Sequence, residues 1–298
     1  MKLVSRRFQG REEIGIVLEE SVVSLERFNH HCQQDFEIDM LSLLQSGRLE
    51  ELRQTALSLN DEARQKCLQD ATLLSDCELA PLYRSPRKIW GIGLNYVEHA
   101  GDLQAIVPTE EPASFMKADT TLIGPSDVIE LPWQSERVTA EAEIAVVIGK
   151  ECRDVSINEA SAYVAGFAAV IDMTAEDILQ KNPRFLTRAK NFDTFFSLGG
   201  ELLTVDEIPD LASVTVGTYN NGQLHRENIV ANMTFNPWYL VSFHSQVMTL
   251  LPGDIISTGT PGAVVIRDGD VAECRIDGFA PLNNPVRQRL AGQREGCQ

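Results

Sequence analysis

At 298 residues, with 43% apolar and 23% charged residues, the chain is long enough for one large domain or a small domain joined to a larger one, of ordinary globular composition. A formal net charge of -17 without a local basic patch argues against nucleic acid and anionic membrane surfaces as partners; the densest basic stretch, Arg84, Arg87 and Lys88, is short. No apolar run approaches the roughly 20 residues of a transmembrane helix, and MKLVSRRFQGREE lacks the hydrophobic segment of a secretory signal.

In chain order, MKLVSRRF and IGIVLEESVVSL read as a strand and a hairpin turning at Glu19-Glu20-Ser21. Leu41 to Asp76 is rich in Leu, Gln, Arg and Glu and reads as helical, with Gly47 as a break. Ala80-Pro81 to Ser85-Pro86 reads as a linker, which divides a small α+β domain at 1–84 from a larger, mainly β domain at 85–298. Short β-rich runs follow, among them KIWGIGLNY, EIAVVIG, YVAGFAAVID, SVTVGTYNNGQ and DIISTGTPGAVVI, with Asn221-Gly222 as a hairpin turn. Helical pattern recurs at Ile157–Val164 and Pro237–Leu250. The six cysteines (Cys32, Cys67, Cys77, Cys152, Cys274, Cys297) show no CxxC and no zinc spacing, so they read as free thiols of a cytoplasmic protein.

The chemistry concentrates around AEAEIAVVIGK. Strand side chains alternate, so Glu141 and Glu143 share a face beside an apolar run and repel each other there. Asp172 closes the apolar run YVAGFAAVID, and neighbouring strand ends could gather the three carboxylates. Two readings stand on these residues alone. One is a hard divalent cation held by oxygen ligands, Mg²⁺ first, then Mn²⁺ or Ca²⁺. The other is a solvated strand edge with Arg137 as a charge partner. Downstream of KIWGIGL, His99 is followed by Asp102, an arrangement suited to a base oriented by an acid, or to a surface histidine. Gly91-Ile92-Gly93 is no dinucleotide fingerprint, and Gly259-Thr260-Pro261-Gly262 is no phosphate loop. His225, His244 and the tryptophans Trp90, Trp133 and Trp238 read as structural or packing residues, and His30-His31-Cys32 completes no metal site.

The ordered series NYVEHAGD, PASFMKADTTLIGPSD, EAEIAVVIGK, VAGFAAVIDMTAED, AKNFDTF, LLPGDIISTGTPGAV and DGF…LNNPV resembles the fumarylacetoacetate hydrolase family over Lys88 to Val286. The resemblance implies an α+β, mainly β fold, a mixed β-sandwich roll behind a small N-terminal domain, usually dimeric. It implies Mg²⁺ or Mn²⁺ on Glu141, Glu143 and Asp172, and a small-molecule 2-oxo or β-diketo acid as substrate. By position it implies His99 as a base paired with Asp102, where relatives commonly carry Glu. It further implies Lys190 as stabiliser of a developing enolate, with Lys117 and Thr260 as substrate contacts. The expected reaction is hydrolysis of a C–C bond in an acylpyruvate- or fumarylacetoacetate-type acid. Decarboxylase, isomerase, hydratase or lyase chemistry is the alternative, and a non-catalytic binding protein the second alternative. The chain departs from the family's DxSARDxQ turn, since Glu176 and Leu179 stand at substrate-facing positions where Arg and Gln are usual. A reversed charge there should change the group that the substrate presents.

Overall fold

The computed structural model describes residues 1–69, 71–102 and 108–290. Strands Lys2–Phe8, Arg11–Leu18 and Ser21–Ser24 form an antiparallel meander, and the two-residue turn at Glu19-Glu20 places Glu19 at φ 58°. Four helices follow: Leu25–Cys32, Met40–Ser46, Leu49–Leu57 and Asp61–Leu68. Three begin on side-chain caps, Ser24, Asp39 and Asn60, each accepting from a backbone N–H three residues on. Gly47 ends the second helix at φ 73°. The expected linker, 80–86, contains neither helix nor strand.

The two sides of that linker are joined in one sheet. Strand Lys2–Phe8 pairs with Glu201–Thr204, which pairs with Val164–Ala175, which pairs along its length with Val138–Ile148. A five-stranded sheet (Ile129–Leu131, Thr215–Asn220, Gln223–Ile229, Val271–Ile276, Leu282–Gln288) packs on the other side, completing a mixed sandwich. The expected α+β, mainly β architecture is what the chain adopts. Asn221 and Gly222, at φ 52° and 76°, turn the hairpin of the smaller sheet.

Alternation gives the two long central strands separate tasks. Ala142, Ile144, Val146, Phe167 and Ile171 face the smaller sheet and pack with Val216, Ala272 and Cys274. Ala145, Val147, Ala168 and Val170 face the other way, into a core shared with Leu3, Phe28, Leu43 and Leu52 of the N-terminal segment. Each fully buried Val, Leu, Ile or Phe side chain among them contributes about 1.5–3 kcal/mol of transfer free energy. Both strands outrun their apolar stretches, so the three carboxylates lie within them rather than at their ends.

Four local expectations change. The helical reading of Leu41 to Asp76 ends at Leu68, since Thr72–Leu73 pairs as a short strand with Ser21–Ser24 and Leu74–Asp76 is a 3-10 turn. Ile157–Val164 holds one 3-10 turn, Ala160–Tyr163, because Gly149 and Lys150 donate to the Tyr163 carbonyl and draw the chain into the next strand. The helix expected to Leu250 spans Pro237–Val247, with Asn236 as cap. Trp133, expected to pack, is 59% exposed. Among the described residues no helix is long and apolar enough to cross a membrane, and the described cysteines are free thiols.

Gly166 sits where the two halves of the large sheet join. A Cβ there would lie 2.1 Å from the Leu203 carbonyl oxygen, an atom of the pairing backbone. Gly166→Ala is therefore expected to cost about 3 kcal/mol or more in chemical denaturation. Wild-type stability in that variant would show that the join is plastic.

Candidate metal centre

Glu141 and Asp172 are direct cross-strand partners, and Glu143 follows two residues along the same face. All three are buried, with one carboxylate oxygen from each lying within 4.8 Å of the others. Burial excludes the solvated-edge reading, and Arg137 pairs with Glu176 instead.

Two ammonium groups answer the crowded carboxylates. Lys190, at the end of the short helix Leu186–Lys190, donates to Glu141 Oε2 at 2.9 Å and Asp172 Oδ2 at 2.6 Å. Lys117, on strand Ala113–Lys117, donates to Asp172 Oδ1 at 2.5 Å and to the Met173 carbonyl at 3.3 Å. Burial opposes the charge of Lys190, yet Asp172 and Glu141 together outweigh it and hold the ammonium above its ordinary range. For Lys117 burial dominates and brings the pKa down to about 8. The Phe115 ring lies 4.7 Å from Lys190 Nζ, and Gly91 makes room for it, since a Cβ at Gly91 would meet that ring at 2.2 Å.

Glu143 is held from the other side. Ser257 Oγ donates to its Oε2 at 2.5 Å and the Gly259 N–H at 2.8 Å. Thr174 and Thr139 donate to Glu141 Oε1 at 2.6 and 3.3 Å. Ser257, Gly259, Thr139 and Thr174 were not anticipated from the sequence. Thr139 and Thr174 could have been found by stepping two residues along the strands from Glu141 and Asp172.

Among the described residues this is the one group of three or more His, Cys, Asp or Glu side chains able to hold a metal ion. Its donors are all carboxylate oxygens, which suit a hard divalent cation. Burial, then the Asp172 and Glu141 charges, push Glu143 up to about 8. With every group ionised, the three carboxylates and two lysines carry one net negative charge; a divalent cation makes that one net positive charge, which suits an anionic ligand.

The remaining expected residues are placed as follows. Thr260 is buried, its hydroxyl 3.4 Å from Thr218 Oγ1 and bonded to the Gly262 backbone. Glu176 is tied to Arg137 and Gln180 rather than free, and Leu179 packs half-buried against the apolar core. His99 and Asp102 lie on helix Val97–Asp102, and their side chains lie outside the described residues. The chain entering that helix is fixed by Asn95, whose amide bonds both backbone groups of Phe235 and donates to the Thr258 carbonyl at 2.7 Å. Thr258 precedes the Gly259 that holds Glu143. His244 is buried against Trp90, a structural position.

Metal binding requires the ionised carboxylate, so Mg²⁺ must displace the proton that burial retains on Glu143. Calorimetric titration at pH 7 in buffers of differing ionisation enthalpy should show release of about one proton per Mg²⁺, falling away above about pH 8. Binding without proton release at pH 7 would mean that Glu143 is already ionised.

The sequence profile described as Fumarylacetoacetate (FAA) hydrolase C-terminal matches residues 88–287. A mitochondrial oxaloacetate tautomerase of Xenopus laevis is 37% identical over 217 residues, 70% of this chain and 67% of that protein. The crystal structure of 2-hydroxyhepta-2,4-diene-1,7-dioate isomerase from Mycobacterium marinum aligns at a TM-score of 0.65 with 33% identity, covering 75% of this chain and 82% of that one. Fumarylacetoacetate hydrolase from psychrophilic Exiguobacterium antarcticum aligns at 0.79 with 27% identity, over 97% of this chain and all of that one, so the likeness includes the N-terminal segment. By its profile, its fold and the buried carboxylates at the expected positions, the chain belongs to the fumarylacetoacetate hydrolase family.

Proposed function

We propose that the protein is a divalent-metal-dependent enzyme that acts on a 2-oxo acid by stabilising its enolate. The observation that carries this reading is the buried cluster of Glu141, Glu143 and Asp172 with Lys190 protonated among them. These carboxylates would hold Mg²⁺ or Mn²⁺, which when bound supplies Lewis-acid stabilisation of negative charge on the 2-oxo group. Lys190 offers a fixed ammonium donor to the same developing charge and needs no reorganisation at the moment of reaction. Lys117 and the hydroxyls of Thr174 and Ser257 hold the carboxylates against rotation. Phe115 and the buried strands exclude water from the back of the cluster. His99, paired with Asp102, is the proposed proton carrier.

Keto–enol or double-bond isomerisation is placed first, because it asks only for an enolate stabilised at the cluster and one proton carrier, and it is the chemistry for which the tautomerase and isomerase relatives are named. Hydrolysis of a C–C bond in an acylpyruvate or β-diketo acid is the second reading, and it requires His99 to activate a water. Both pass through the same enolate. The family resemblance further supports a homodimer.

The test is a pair of variants, Glu143→Gln and Lys190→Met, assayed with Mg²⁺ on enol-oxaloacetate and on an acylpyruvate. Each should lower turnover by about 100-fold or more. Glu143→Gln should also lose the thermal stabilisation that Mg²⁺ with oxalate gives the wild type. Turnover retained in Glu143→Gln would refute metal-dependent chemistry at this cluster, and cleavage of the acylpyruvate at rates matching tautomerisation would move the assignment to hydrolysis.

A further inference from the structure

Two nucleophilic side chains that the enolate chemistry does not use meet in the N-terminal segment. Helix Leu25–Cys32 turns Leu25 and Phe28 inward, and Cys32 follows on the same face, one turn beyond Phe28. Helix Asp61–Leu68 packs on it and buries Cys67, which is 1% exposed. Both side chains join the apolar cluster shared with the central strands, Cys67 inside it and the half-buried Cys32 at its margin. There the two thiols share a hydrogen bond, although the chain between them forms two further helices. Both residues precede residue 88, where the match to the family profile begins.

Other cysteines have neighbours of another kind: Cys77 Sγ accepts from Arg6 Nη1 at 3.4 Å, and Cys274 Sγ lies 3.9 Å from the Glu143 carbonyl. Cys32 and Cys67 face sulfur. Thiols that share a hydrogen bond across two packed helices meet the proximity that a disulfide requires. Burial, then Cys67, push the Cys32 thiol up to about 12, and burial raises the Cys67 thiol as well. The pair therefore rests in the thiol form and reacts slowly, through an oxidant small enough to reach Cys32.

We propose that Cys32 and Cys67 are a dithiol modification site, oxidised by a peroxide to a reversible disulfide that staples the first helix to the fourth. The proposal is independent of the enolate reading. Peroxide takes two electrons from the Cys32 sulfur: the O–O bond breaks, one hydroxyl stays on sulfur as a sulfenic acid, and the other leaves as water with the thiol proton. The Cys67 sulfur then attacks that of Cys32; the S–S bond forms, the S–O bond breaks, and the hydroxyl leaves as a second water with the Cys67 proton. The closed loop, residues 32–67, contains helices Met40–Ser46 and Leu49–Leu57, whose Leu43, Leu44 and Leu52 share a cluster with Val147 and Val170 of the central strands. Closing it removes freedom from the unfolded chain, so the oxidised protein is the more stable form.

The test treats the full-length folded protein with hydrogen peroxide, blocks residual thiols with N-ethylmaleimide, and maps unreduced peptides by mass spectrometry. Wild type should yield a Cys32–Cys67 linked peptide, lighter by two hydrogens than the separate thiol peptides and lost on treatment with dithiothreitol. Its melting temperature should rise by about 5 °C or more on oxidation and return on reduction. Cys32→Ser, at the half-buried position, should leave the reduced protein's melting temperature near the wild-type value and abolish both the linked peptide and the rise. Cys67→Ala should likewise abolish both. Recovery of Cys32 as free thiol, as sulfinic acid or linked to any other cysteine, in place of the Cys67 link, would overturn the proposal. So would a linked peptide that leaves the melting temperature unchanged, or a rise that persists in Cys32→Ser.

Discussion

Glu141, Glu143 and Asp172 carry like charge and lie in reach of one another inside a β-sheet, a placement that by itself favours unfolding. Everything around them answers that repulsion. Lysines arrive from a strand and a short helix far apart in sequence, hydroxyls from the neighbouring strands, and a backbone N–H from the turn at Gly259. None of these contacts suffices alone, because even Lys190, which reaches both Glu141 and Asp172, leaves Glu143 to Ser257 and Gly259. Together they produce a buried polar cluster whose residual charge is set by whether Glu143 keeps its proton.

The large sheet can hold such a cluster because its two long strands are covered on both sides. One face seals against the smaller sheet; the other is charged toward one end and apolar toward the other, where the N-terminal segment supplies the cover. The N-terminal segment is thus part of the scaffold behind the cluster. The strand ends at Arg137 and Glu176 are where this buried polar surface meets solvent.

Much of this was legible in the sequence, and the reasons are specific. Asn221-Gly222 encodes its turn locally, whereas Glu141, Glu143 and Asp172 by themselves fit a solvated strand edge as well as a metal site, and it is the ordered series of family motifs that favours the metal. What escaped was set by distant pairing. The helices that carry Glu176 and Lys190 are five or six residues long, too short for helical periodicity to register. Glu176 alone reads as a charge turned toward the substrate, and only the strand register shows that Arg137 meets it. Likewise Ser257 and Gly259 hold Glu143 from a strand and turn more than one hundred residues away.

The double cover over the central strands also governs how the protein comes apart. Backbone amides around Glu143 and Asp172 are hydrogen-bonded between the apolar layer of the smaller sheet on one face and the buried polar cluster on the other, so their exchange with solvent deuterium requires the central strands to open. Local fraying cannot reach them. The carboxylate cluster is therefore tied to the opening of the central strands, and exchange at these amides should track the loss of the cluster itself.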